Sequence, residues 1–134
     1  MLQKDAAQAS FLVKNFKMKA ISLYFMAAIY IMAGILHFIR PEPFLTIMPA
    51  FLPFPLFLIY LSGGLEILLG GLLLPVHSRK WAAWGIILSL ILVFPANIQM
   101  AVNYWQSDSP YKWLTLARLP LQLLLIWWAR TFTR

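Results

Sequence analysis

Apolar residues run along the chain in four blocks, 20–39, 56–74, 81–101 and 113–129, separated by short polar or proline-rich stretches. Within them the only Asp, Glu, Lys, Arg or His residues are His37 in the first, Glu66 in the second and Arg118 in the fourth. The hydrocarbon core of a bilayer is about 30 Å thick and takes about 20 apolar residues at a helical rise of 1.5 Å. Each block therefore predicts a membrane-spanning segment. Unpaired backbone is prohibitive in lipid, and the blocks lack the polar/apolar alternation of a barrel strand, so each predicts a helix. The fold class expected is all-α, a polytopic four-transmembrane-helix bundle. The first block is too long for a signal-peptide core and lacks a small-residue cleavage site, so it is read as retained.

The residues between the blocks suit helix ends. Pro41, Pro43, Pro49, Pro53 and Pro55 follow the first block and Pro75 closes the second; a residue without an amide hydrogen cannot continue a helix. Tyr60, Trp81, Trp84, Tyr104, Trp105, Tyr111, Trp113, Trp127 and Trp128 gather mostly near block ends, where amphipathic rings favour the membrane interface. Pro95, inside the third block, predicts a kink just before Asn97. The stretch 41–55 is long for a bundle connection and carries Phe44, Leu45, Ile47, Met48, Phe51, Leu52 and Phe54, which a solvated loop would not. It reads either as interfacial packing or as a lid folded over the bundle. Residues 1–19 form a basic lead-in expected at an anionic lipid surface, 20–130 the membrane domain, and 131–134 a cytoplasmic tail.

Composition agrees with this division. The chain is 62% apolar and 11% charged, with a mean hydropathy of +0.77, whereas soluble domains carry about 25% charged residues. With no cysteine, disulfides, thiolate metal sites and thiol nucleophiles are excluded. A net charge of +7 would suit a nucleic-acid binder only if the basic residues lay across a soluble surface. Here they flank the apolar blocks. Lys4, Lys14, Lys17, Lys19, Arg79, Lys80, Arg130 and Arg134 fall on one side, and only Arg40 and Lys112 on the other. The positive-inside rule then places both termini in the cytoplasm. The partner implied is a lipid bilayer, with no nucleic acid.

Polar groups inside the blocks carry what functional information there is. A charge at mid-bilayer costs at least about 2.5–3.5 kcal/mol on insertion scales, so such residues usually face the bundle and pair. At 1.5 Å per residue, His37 lies about 3 Å, Asn97 about 5 Å, Arg118 about 8 Å, Gln122 about 14 Å and Glu66 about 15 Å below the outer boundary. All belong to the outer half; the cytoplasmic half reads as apolar throughout. Ser62, Glu66 and Gly70 recur at i, i+4, i+8 beside Gly63 and Gly64, a stripe suited to close helix packing. Arg118 and Gln122 share a face of the fourth helix, and Tyr30, Ala33, Gly34 and His37 a face of the first. Glu66 is expected to reach Arg118 across the bundle. With Arg40 at the rim, these groups predict a cavity open to the outer side. One acid among several bases there would favour a small anion or a carbonyl-bearing ligand.

The runs AGILHFIRPEPFLTIMPAFLP, YLSGGLEILLGGLLL, VFPANIQMAV and RLPLQLLLIWWA resemble the DoxX-like family of small bacterial four-helix membrane proteins. The resemblance covers about residues 20–130, with AG-x-x-HF, SG-x-x-E, FPAN and RLPLQ in the expected order. It implies a multi-pass protein of the bacterial inner membrane and, by analogy with the family's founding members, association with quinone-linked sulfur oxidation or redox-stress complexes. The motif positions carry over as His37, Glu66, Asn97, Arg118 and Gln122.

Two classes of function are therefore expected. In the first, His37, Glu66, Asn97, Arg118, Gln122, Arg40 and Tyr30 line a cavity for a quinone, a lipid-like molecule or a small anion, and the chain serves a membrane redox complex as a subunit or accessory. No covalent cofactor, metal site or self-contained catalytic motif is read, since haem, Fe–S and flavin signatures are missing. In the second, the chain is a structural or assembly subunit whose polar groups fix helix registry. Transport is a weaker third reading, because no inverted repeat is visible. Small-residue faces make a homodimer a further expectation.

Overall fold

The computed structural model describes residues 1–134, apart from the Ile47 side chain. Five helices follow one another: α1 (Leu2–Ile39), α2 (Glu42–Ile47), α3 (Pro55–Leu72), α4 (Val76–Gln106) and α5 (Lys112–Arg130). The protein is all-helical, and α1, α3 and α4 are each long and apolar enough to cross a membrane. Lys112, Arg118, Gln122 and Arg130 dilute the apolarity of the 19-residue α5, which is not among those three.

Local chemistry sets the boundaries. Pro55 opens α3, where its missing amide is no loss, and follows Phe54 in the left-handed region (φ 50°). The α3–α4 turn is stapled by side chains on the last carbonyl of α3 and the two that follow it. Ser78 Oγ donates to Leu72 O (2.7 Å), Arg79 Nε to Leu73 O (3.0 Å) and an Arg79 Nη to Leu74 O (2.8 Å). A cation at a helix C-terminus also meets the negative end of the helix dipole. The basic residues 1–19 and the first apolar block share one helix, since α1 runs unbroken for 38 residues, about 57 Å at the helical rise. The first half of the 41–55 connection winds into α2. Pro95 lies within α4, which continues past it as a helix.

The four long helices pack as two antiparallel pairs, α1 with α3 and α4 with α5. Between α1 and α3 the backbones approach closely at glycines. A Cβ placed on Gly34 would sit 2.5 Å from Gly63 O, and one on Gly70 3.0 Å from Ala27 O. Small residues at such contacts let helices associate in lipid, where no hydrophobic force drives them together. The face of α3 turned to α1 thus carries Gly63, Glu66 and Gly70. The two pairs are joined by a buried apolar cluster of Leu23, Met26, Ala27 and Tyr30 from α1, Ala82, Ala83, Ile86 and Ile87 from α4, and Ala129 and Phe132 from the C-terminal end. Trp128 Nε1 adds a hydrogen bond to Ser22 Oγ (2.7 Å), and its ring packs 6.0 Å from that of Phe25. This cluster occupies the end of the bundle away from α2. The outside is apolar: Ile21, Phe25, Met32, Phe57, Leu68, Leu92 and Trp127 are all more than half exposed. The accessible surface is 9648 Å², against about 7,200 Å² for a compact soluble monomer of this mass. Lipid is the solvent that such a surface fits.

Candidate functional site

The sequence-predicted polar residues lie between the α2 end and the middle of the bundle, in three separate places. In the first, between α1 and α3, His37 Nδ1 lies 3.1 Å from Glu66 Oε2 and 2.7 Å from Ala33 O. A carbonyl can only accept, so Nδ1 carries a hydrogen and directs it to Ala33. Glu66 Oε2 lies beside that bond, an ion pair only when His37 is protonated, and is buried with no aligned donor. Phe44 of α2 stacks on the His37 ring with centroids 3.9 Å apart, and Phe38 stacks on Tyr60 at 5.4 Å. Tyr30, one to two turns before His37 in α1, is buried at 6% exposure.

The second place lies between α4 and α5. Asn97 Nδ2 donates to Gln122 Oε1 (2.8 Å), and Gln122 Nε2 donates to Leu90 O (2.6 Å). Gln122 is itself buried. The pair spans Pro95 and ties α5 to the turn that precedes it, which is structural work: a buried amide must find partners, and these two satisfy one another and the backbone.

The third place is a cavity of about 440 Å³ under α2. Pro43 and Thr46 of α2, Tyr104 of α4, Tyr111, and Leu114, Thr115 and Arg118 of α5 line it. Thr46 Oγ1 donates to Pro43 O and Thr115 Oγ1 to Lys112 O, both at 2.7 Å, so both hydroxyl hydrogens are committed. Arg118, the Tyr104 hydroxyl and the Tyr111 hydroxyl are left as donors. The one described polar contact of Arg118 is with Met100 Sδ at 4.0 Å, a weak acceptor. At the rim, Lys112 Nζ is held by Asp108 at 2.6 Å and lies 4.9 Å from the Trp105 ring centroid.

The expected Glu66–Arg118 pair does not form. Glu66 lies against α1 and meets His37, while Arg118 lies on the α4 side of α5. The helices pair α1–α3 and α4–α5, so two residues at similar depths belong to different seams. The predicted single convergence is divided for the same reason. Arg40 is exposed at the C-cap of α1 and lines no part of the cavity. Among the described residues no group of His, Asp and Glu is placed to hold a metal ion.

Sequence reasoning missed the lining residues Pro43, Thr46, Tyr104, Tyr111, Leu114 and Thr115. The signal was available. Tyr111, Thr115, Arg118 and Gln122 follow i, i+4, i+7, i+11 along α5, and Asn97, Met100 and Tyr104 follow i, i+3, i+7 along α4. Two stripes of that spacing face one another across an antiparallel pair.

No curated protein and no solved structure matches the chain. A family does match, over residues 26–133; that range takes in α2 to α5 and all three polar places, and the chain belongs to this family, described as Domain of unknown function (DUF8561).

Proposed function

We propose that this chain is an integral membrane protein of four crossings that binds a small ligand in the cavity beneath α2, with Arg118 as the principal contact. One observation carries this reading: a 440 Å³ cavity holds a half-buried guanidinium whose sole described polar contact is a thioether. A guanidinium offers five hydrogen-bond donors, and leaving them unmet away from water is costly. An oxygen-bearing ligand would meet them. The quinone, lipid-like and small-anion classes expected from the sequence all bear such an oxygen.

The fourth crossing is supported by packing. Helix α5 lies antiparallel along α4 from Arg118–Met100 through Gln122–Leu90, so it shares the depth of a helix apolar enough to span. Both termini then lie on one side, and the distribution of lysine and arginine favours the cytoplasm for that side; a bacterial inner membrane follows from the DoxX-like resemblance alone. Attachment to a membrane redox complex follows from the DoxX-like resemblance alone. A ligand-free structural role is favoured by a separate observation, the mutual satisfaction of Asn97, Gln122 and Leu90, but that seam does not involve the cavity.

Native mass spectrometry of the protein released from lipid nanodiscs tests the reading. A small molecule retained by the wild-type chain and lost from Arg118→Ala, with the circular-dichroism spectrum unchanged, is the expected result. Equal retention by both proteins would refute it.

A further inference from the structure

Resting on that reading, the geometry points to one ligand class for the cavity: the monoanionic head, carboxylate or phosphodiester, of an amphiphile, in preference to a neutral carbonyl such as a quinone.

The inference comes from a charge inventory the chain makes short. There are only four acidic residues. Asp5 sits in the first turn of α1, at the far end of the molecule. Glu42 is exposed in the first turn of α2 and is not among the lining residues. Glu66 faces His37 in the other seam. Asp108 is committed to Lys112. No acid is among the described lining residues of the cavity, so the counter-charge for Arg118 is supplied from outside the chain. An isolated cation in a low-dielectric wall is the costly case, and a paired one held by charge-assisted hydrogen bonds the favourable one. A neutral carbonyl fills donors but leaves the charge uncompensated.

The same inventory sets the charge at one. Arg118 is the single cation among the described lining residues, and Lys112, which is not one of them, is paired with Asp108. A dianion or polyphosphate would leave negative charge buried in its place. The fork of the guanidinium matches the paired oxygens of a carboxylate or phosphodiester, and Tyr104 and Tyr111 add hydroxyl donors beside it. Pro43 and Leu114 form the apolar part of the lining, and Leu114 is 62% exposed on the outer face of α5. Leu114 thereby offers a hydrocarbon tail an apolar contact between the head site and the exposed surface.

Binding is to be measured by isothermal titration calorimetry on the full chain in dodecyl maltoside, a neutral detergent. The probes are decanoate, dihexanoylphosphatidylglycerol, decylubiquinone, acetate and inorganic phosphate, each against wild type, Arg118→Lys and Arg118→Met. Both anionic amphiphiles should bind the wild type at least tenfold more tightly than decylubiquinone. Arg118→Met should weaken them by tenfold or more, and Arg118→Lys, which keeps the charge but loses the fork, by less. Should Arg118→Met fail to fold by circular dichroism, the Arg118→Lys loss decides. Acetate or phosphate binding as tightly as the amphiphiles would overturn the tail while keeping the monoanion. Decylubiquinone binding best, with dependence on Arg118, would overturn the anion class and leave the cavity reading intact. Anion affinities indifferent to both substitutions would overturn Arg118 as the contact and with it the proposed function, whereas no binding by any probe would overturn the anionic-amphiphile class.

Discussion

The close approach of α1 to α3 permits a test in which three alanines differ only in what their methyl groups meet. A Cβ on Gly34 would lie 2.5 Å from Gly63 O, 2.6 Å from Ile67 Cγ1 and 3.0 Å from Ile67 N. Two of these are backbone atoms, which cannot rotate away. Carbon–carbon contacts are optimal near 3.5–4.0 Å, so relief requires the helices to part by about 1 Å, a gap that forfeits a quarter to a half of each dispersion well along the contact. At Gly64 the same methyl would find one atom, Phe38 Cζ, at 3.9 Å, and at Gly71 nothing within 4 Å. Each substitution gains up to about 1 kcal/mol of helix propensity. Overpacking costs about 1–3 kcal/mol, and the parted contacts add to it. Gly34→Ala is therefore expected to be less stable than Gly71→Ala by about 2–4 kcal/mol, with Gly64→Ala beside Gly71→Ala. Equilibrium unfolding in mixed dodecyl sulfate and dodecyl maltoside micelles, followed by circular dichroism, reads the difference. Equal midpoints for Gly34→Ala and Gly71→Ala would refute the packing described for α1 and α3.

Three more outcomes follow from the other seams. Gln122→Leu should lose about 1–3 kcal/mol by stranding Asn97, and adding Asn97→Leu should recover part of that loss; additive losses in the double-mutant cycle would show that the two amides do not interact. Trp128→Phe, which keeps the ring beside Phe25 but drops the bond to Ser22, should cost about 1 kcal/mol in the same unfolding assay, and no cost would argue against that bond. In the exposed turn after α4, the Lys112 ammonium hydrogen-bonded to Asp108 holds its carboxyl below the usual carboxylate range. Because the folded pKa is depressed, the contact persists above the unfolded value of about 3.9 and is lost as pH falls through the lower folded value. Carbon-13 NMR of the Asp108 carboxyl should place its titration below 3.9 and return it upward in Lys112→Met; an unshifted wild-type titration would contradict the pairing.

The apolar blocks were legible because a bilayer imposes both length and composition on a spanning helix, and α1, α3 and α4 satisfy both without tertiary help. Helix α5 was legible by length and by its apolar runs, but Arg118 and Gln122 take it below the apolarity that would identify a span by itself. The extension of α1 back to Leu2 was hidden, because lysines mark a change of solvent and not the end of a helix. Depth arithmetic put His37, Glu66, Asn97, Arg118 and Gln122 in one half of the expected membrane span. It failed for the Glu66–Arg118 pair because rise along an axis says nothing about which neighbour a face meets. That depends on the order of helices around the bundle, decided here by glycines at 34, 63 and 70. The contribution of α2 was hidden too. A six-residue helix bracketed by prolines leaves little periodicity to read, yet it places Phe44 on His37 and Pro43 and Thr46 on the cavity.

The buried cluster that joins the two helix pairs lies at one end only, and this has a mechanical meaning. At that end Leu23, Met26, Ile86 and Ala129 fix the spacing of the pairs by contact. At the other end α2 spans the seam, touching α1 through Phe44 and walling the cavity with Pro43 and Thr46. The two ends of the molecule are thus held differently, by close-packed side chains at one and by a six-residue helix laid over a cavity at the other. A change that shifts α2 would therefore alter the cavity lining while leaving the buried cluster unchanged.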